Sequence, residues 1–280
     1  MQAKALLRSI VYFQIGFYVS KRKKMLKTRS LFVVVILSLF SSFAFPETAG
    51  EIIKRAIENS VKVQENIKDV KINSSSVMEM QGRKMTVNST ISQKDKKIRI
   101  DASSSLPGTK EEMESVMIYD GKTTWMITPM SGKQQTEGKA IGLNTITEEE
   151  EWWTKVGSDI ELKGEEKIGG IDCFILEAKN AAEAGKFWIG KNNLALVKAT
   201  GEDAQNGKFE VISSEFKDVG FGWTMAYKTE MKTDKGVTMS NSVKSIDVNK
   251  GLKDDIFAAA DIDISKLKMP KLEGGNGLEP

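Results

Sequence analysis

The chain contains no histidine and only one cysteine, Cys173. Without histidine there is no Ser–His–Asp or Cys–His nucleophile, no HExxH zinc site and no imidazole proton switch. A single cysteine excludes an intrachain disulfide and every CxxC motif. Cys173 alternates with Ile171 and Ile175 and reads as a buried thiol rather than a nucleophile. No GxSxG elbow, P-loop or GxGxxG placed after a strand occurs. Among the carboxylates, Glu148, Glu149, Glu150 and Glu151 fill the first turn of an expected helix, where the macrodipole favours acid. Asp254, Asp255, Asp261 and Asp263 lack the glycine that a calcium loop requires. No catalytic residue, metal site or cofactor is therefore expected, and the composition suits a binding protein rather than an enzyme.

Acidic residues are missing from one region only. The 280 residues carry 41 Lys and Arg against 38 Asp and Glu, a net charge of +3. Residues 1–44 hold eight of the basic residues and no acidic one, which leaves 33 against 38, or −5, for residues 45–280. An acidic body argues against a nucleic-acid partner. From Met25 a basic stretch leads into an apolar run at 31–40, then Ser42-Phe43-Ala44. These are the three parts of a cleaved secretory signal, with cleavage expected after Ala44. The run is half of the ~20 residues that a membrane-spanning helix needs. Residues 1–24 are either an upstream extension, with Met25 the true start, or a longer basic leader. The mature chain is expected in the periplasm, as a single domain over 45–264, with 265–280 a disordered tail.

What is present is alternation. Thr48-Ala-Gly-Glu51 is a capping box. Behind it Ile52, Ile53, Ala56, Ile57 and Val61 recur at helical spacing. From Asp69 the period changes to two. Val70, Ile72, Ser74, Ser76, Met78 and Met80 form one arm, Gln81-Gly82-Arg83 a turn, and Met85, Val87, Ser89 and Ile91 the return. Ile98 and Ile100 mark the next strand. Asp120-Gly121 and Gly169-Gly170 are hairpin signals. Further runs at 186–189, 194–200, 208–216, 223–232 and 237–248 bring the count to about ten. Short helices are expected at 147–156, carrying Trp152 and Trp153, and at 253–260. The predicted fold is mainly β with an α lid: a curled antiparallel sheet forming an unclosed barrel, covered by short helices.

On the strand at 223–232, one face reads Trp223, Met225, Tyr227, Thr229, Met231 and the other Thr224, Ala226, Lys228, Glu230, Lys232. The first face is expected inside, where Met78, Met80 and Met85 continue it. Methionine is unbranched and polarizable, so it suits a pocket for flexible apolar guests. It also fills ordinary sheet cores, and the pattern alone leaves both readings open.

The segment Tyr119-Asp-Gly-Lys-Thr-Thr-Trp125-Met-Ile-Thr-Pro129 resembles the Asp-Gly-Lys-Thr-x-Trp hairpin of the LolA-like periplasmic lipoprotein carriers. Gly170-Ile-Asp-Cys-Phe-Ile-Leu-Glu177, Phe187-Trp-Ile-Gly-Lys-Asn-Asn193 and the terminal Val248-Asn249 with Asp255-Ile-Phe257 follow in the same order. The resemblance implies an unclosed barrel whose cavity holds lipid or lipoprotein acyl chains. The cavity would be lined by Met78, Met80, Met85, Val87, Ile98, Ile100, Trp125, Ile127, Trp223, Met225, Tyr227 and Met231. Ile52, Ile53, Ile57, Trp152 and Trp153 would form its lid. It also implies a monomer that works between an inner-membrane releasing transporter and an outer-membrane acceptor. A regulator of the same fold, which binds lipid and a membrane-protein partner, is the alternative. The carriers have a Lys-Arg-Pro before the motif hairpin whose arginine latches the lid. Here that place reads Lys94-Asp95-Lys96, with Arg99 nearby.

Overall fold

The computed structural model describes residues 47–105, 112–139, 159–179, 185–203 and 207–269. The leader sequence, Trp152, Trp153 and the helix expected at 147–156 lie outside the described residues.

Among the described residues one helix, α1 (Ala49–Asn66), precedes thirteen strands. The first six are β1 (Asp69–Met80), β2 (Arg83–Lys94), β3 (Lys97–Ser105), β4 (Glu112–Tyr119), β5 (Thr123–Thr128) and β6 (Gly132–Glu137). The remaining seven are β7 (Ile160–Ile168), β8 (Ile171–Ala178), β9 (Gly185–Gly190), β10 (Leu196–Asp203), β11 (Gly207–Asp218), β12 (Thr224–Thr233) and β13 (Thr238–Val248). All join one sheet in the order β6-β5-β4-β3-β2-β1-β13-β12-β11-β10-β9-β8-β7. The chain meanders from β1 out to the edge at β6, resumes at the opposite edge β7, and returns to lay β13 beside β1. The two edges do not pair, so the barrel is unclosed, as its pattern predicts. The strand most plainly absent from the expected count is β6. Lys133, Gln134, Gln135, Thr136 and Glu137 carry no apolar alternation, because a strand at a free edge needs none.

The helix starts as the capping box dictates. Thr48 N–H and Oγ1 donate to Glu51 Oε2 at 2.8 Å, and Glu51 N–H donates back to Thr48 Oγ1 at 3.3 Å. These bonds hold the Glu51 carboxyl below its ordinary pKa, the Thr48 backbone N–H first among the causes. At the far end Asn249, just past β13, accepts from Lys68 N–H at 2.6 Å and donates to the Asn66 carbonyl at 2.7 Å. Buried Asp69 accepts from the N–H groups of Lys250 and Gly251. The end of α1, the start of β1 and the exit from β13 are thus tied together.

Beyond that knot, residues 251–269 form a strap of 3-10 turns at Asp254–Phe257, Ala259–Asp261 and Ile264–Lys266. The expected helix at 253–260 is replaced by the first two. Residues 265–269, expected to be part of a disordered tail, are held instead. Glu114 N–H donates to the Lys268 carbonyl at 3.0 Å, Lys268 N–H to Glu114 Oε2 at 3.1 Å, and Leu267 packs into the adjoining core.

Candidate inner-face binding site

Because cross-strand partners share a face, the register sorts every strand residue to one side of the sheet. The side on which α1 lies is called inner here. At the β7–β10 end, Ala49, Ile52 and Ile53 of α1 pack on Ile160, Phe174, Leu176, Ala178 and Ile189, with Ile57 at the margin. Ile52 is fully buried. Each such isoleucine contributes roughly 1.5–3 kcal/mol. The predicted lid residues of α1 therefore form a core at one end of the sheet.

In the middle of the sheet the inner face carries three bands. The first is aliphatic and aromatic: Val70, Ile72, Ile91, Ile98, Ile100, Met225 and Val243 are buried, with Trp223 and Tyr227 beside them. Lys217 places its ammonium 4.0 Å from the centre of the Tyr227 ring. The second band is polar, a row of residues directly opposite one another across four strands. Ser213 faces Thr229, Thr229 faces Asn241, and Asn241 faces Ser76. The third band is methionine. Met231 faces Met239, Met239 faces Met78, and Met78 faces Met85, a ladder across β12, β13, β1 and β2. Met80 lies one inner position further out, opposite Arg83 and 38% exposed. Val87 is the inner residue of β2 opposite Ser76.

Ten of the twelve residues expected to line a cavity thus share this face: Met78, Met80, Met85, Val87, Ile98, Ile100, Trp223, Met225, Tyr227 and Met231. The other two do not. Trp125 faces Ile118 and Ile127 faces Val116, while Arg99 and Asp101 of β3 face the same two β4 residues. All belong to the outer side, opposite Ile98 and Ile100. There Ile127, Ile118 and Val116 are buried beneath Phe257 and Ala259 of the strap, with Trp125 alongside. Alternation put Trp125 and Ile127 in the right phase, but Met126 makes the other side of β5 apolar as well, so the pattern does not reveal which phase is inside. Met239 is the ladder residue that sequence reasoning missed. Its alignment with Met78 depends on the irregularity at Asn73/Ser74 where β1 meets β13, which no periodicity discloses.

Arg99 is equally informative. Its guanidinium binds the Asp101 carboxylate (2.6 and 2.8 Å) and donates to the Ile256 carbonyl at 2.9 Å. The arginine nearest the expected latch position therefore clamps the carboxy-terminal strap on the outer side. Lys94 and Lys97 add to the clamp, each meeting Asp254 at 2.9 and 2.8 Å, and Lys133 donates to the Ala260 carbonyl. The two ammonium groups, Lys97 first and then Lys94, hold the Asp254 carboxyl down to about 2.

The motif hairpin has a conformational reason. Asp120 Oδ1 accepts the N–H groups of Lys122 and Thr123, both at 2.8 Å, and Gly121 adopts φ +100°. Burial alone would raise the Asp120 carboxyl, but those two N–H groups together with the Trp125 side chain and the Asp120 backbone outweigh it and the net shift is downward. Cys173 is wholly buried with Trp188 and Val197 on the outer side, and burial pushes its thiol upward, as the sequence suggested. Among the described residues no group of three Asp, Glu or Cys is arranged to hold a metal, and no helix is long and apolar enough to cross a membrane.

The architecture is that of an open antiparallel half-barrel, one face floored by apolar side chains and flanked by a helix. The chain belongs to the family described as "Domain of unknown function (DUF4412)", whose model matches residues 75–259. Among solved structures it is similar to a DUF1329 family protein from Desulfovibrio piger. That likeness has 16% identity and a TM-score of 0.53, and covers 75% of this chain and 96% of the other. A putative outer membrane lipoprotein-sorting protein domain from Vibrio parahaemolyticus is 13% identical, with a TM-score of 0.49 over 73% of this chain and 97% of that one. A LolA superfamily protein from Nitrosomonas europaea is 14% identical, also with a TM-score of 0.49, over 77% and 100%. No curated protein matches. At these identities the first likeness is one of fold.

Proposed function

We propose that the protein is a non-catalytic carrier of the cell envelope that holds acyl chains of a lipid or lipoprotein against the inner face of its half-barrel. The observation that carries this reading is the in-register ladder of Met231, Met239, Met78 and Met85, set above an aliphatic floor. Four flexible thioethers side by side conform to chains of varied length and unsaturation, where branched side chains would impose one shape. Each methylene withdrawn from water contributes ~0.8 kcal/mol, so a single long chain is held without any specific polar contact. The basic, apolar and small-residue segments that end at Ala44 support export to the periplasm. The carrier role supplies a transporter that loads the protein and an outer-membrane acceptor that unloads it, because a chain buried this way leaves slowly unaided.

The test is native mass spectrometry of protein isolated without detergent from its own periplasm, followed by lipid extraction. Adduct masses that release acyl lipid support the reading. A bare polypeptide mass with nothing extractable sinks it. Retention of a membrane protein's periplasmic segment, in place of a loading transporter, would move the role from carrier to regulator.

A further inference from the structure

The inner face holds one band that an all-purpose apolar cavity does not need. Ser213, Thr229, Asn241 and Ser76 form an unbroken cross-strand row, and each is nine-tenths or more buried. Beside it Ser74 and Ser89 bond to each other at 2.9 Å. Within the row a single side-chain hydrogen bond is made: Ser76 Oγ donates to Asn241 Oδ1 at 2.8 Å. In this arrangement the Asn241 oxygen is engaged by Ser76 and its Nδ2 points elsewhere. At 3% exposure the Nδ2 group has no partner among the described residues, and neither has the Thr229 or the Ser213 hydroxyl. A buried amide donor without an acceptor is costly, and such groups are rare in folded proteins. Donors held in readiness between a methionine band and an aliphatic band call for an acceptor that arrives with an apolar guest.

We propose that the Ser213–Thr229–Asn241–Ser76 row is a subsite for the carbonyl oxygen of an acyl ester or acyl amide, with Asn241 Nδ2 as its principal donor. The inference rests on the acyl-binding reading and sharpens it. The row selects acylated molecules over plain hydrocarbon or ether-linked chains, because a carbonyl oxygen accepts from the buried donor more strongly than an ether oxygen does and a hydrocarbon offers no acceptor. Esters would come from glycerolipids and amides from N-acylated peptides, and both present the same oxygen.

The experiment uses the mature chain, stripped of lipid, and three probes of equal chain length: hexadecanoyl glycerol, its hexadecyl ether, and N-hexadecanoyl ethanolamine. Binding is measured by isothermal titration calorimetry. The ester or the amide is expected to bind about three- to thirtyfold more tightly than the ether, the worth of a hydrogen bond that relieves a buried donor. Whichever carbonyl compound binds better identifies the source. In the double variant S76A/N241L the ratio should fall to about one while ether affinity is kept. Its thermal midpoint should stay at or above that of the native chain, since both hydrogen-bonding partners leave together. T229V, which exchanges one hydroxyl for a methyl, should lower the ratio in the same direction and serves if the double variant does not fold. Equal affinity for ester, amide and ether in the native chain overturns the subsite but leaves acyl binding standing. A ratio that survives in the folded variants also overturns it. Failure of all three probes to bind overturns both readings.

Discussion

The two ends of the sheet are covered on opposite sides. At the β7–β10 end α1 lies on the inner face, and the outer face seals itself: Trp188 lies under the Lys198 ammonium and donates to Glu166 at 2.6 Å. At the β3–β6 end the strap lies on the outer face. There the inner side keeps Met117 half-buried opposite Met126, which is 42% exposed. A sheet has two faces to bury, and among the described residues the chain supplies one cover for each, at different ends. The consequence is an inner face dry beside α1 and uncovered by it from β12 round to β5, where the methionines lie. The helix and the strap depart from one knot of Asn249 and Asp69, so one junction sets both covers.

That asymmetry can be broken from either end. The largest effect is expected from Phe257→Ala, the fully buried anchor of the strap, at about 3–5 kcal/mol. Because the strap adds to a sheet that is already paired, the loss should be local. Limited proteolysis should cut within 251–269 before the sheet melts, and Trp125 emission should shift to the red. Ile52→Ala, at about 2–5 kcal/mol, should instead lower the midpoint of the whole denaturant transition, since α1 is the core of its end. A strap cut no earlier than the sheet, or a helix lost without the sheet, would erase the distinction. Arg99→Ala comes third, at about 1–2 kcal/mol, since it strands Asp101 and frees the Ile256 carbonyl. It should loosen the strap in the same protease assay without altering the acyl binding proposed above, because its side chain lies on the outer side.

Acid supplies a smaller lever on the same clamp. The Asp254 carboxyl is held at about 2, below its ordinary 3.8, so its contribution is complete above about pH 4 and disappears as pH falls through 2. Strap release in that window should be seen in the native chain and should flatten in Asp254→Asn. The smallest effect is an absence of reaction: Cys173 should resist a thiol reagent in the native state and react fully in denaturant.

Local chemistry carried most of the architecture in the sequence. Thr48 and Glu51 announce the helix, Asp120-Gly121 announces its hairpin, and alternation from Val70 to Met80 puts six residues on one face. What alternation leaves out is the sign of the face and the register between strands. Trp125 and Ile127 were misassigned for the first reason and Met239 missed for the second. The polar row escaped notice because Ser213, Thr229, Asn241 and Ser76 come from distant positions and meet only by pairing. The strap was hidden by its composition, since short 3-10 turns have no long apolar period; what holds it is Phe257 in the outer core together with lysines and an arginine contributed by strands far away.

The free edges at β6 and β7 have one further consequence. In a closed barrel the strand number and stagger fix the circumference, and a guest must fit what remains. Here no hydrogen bond joins the first strand of the sheet to the last, so the girth is set by coiling alone and not by strand number and stagger. The charges along the seam (Lys133 and Glu137 on one lip, Glu161, Lys163, Glu165 and Lys167 on the other) keep it from zipping to another copy. The molecule is therefore better compared to a purse than to a pipe, with its clasp left undone.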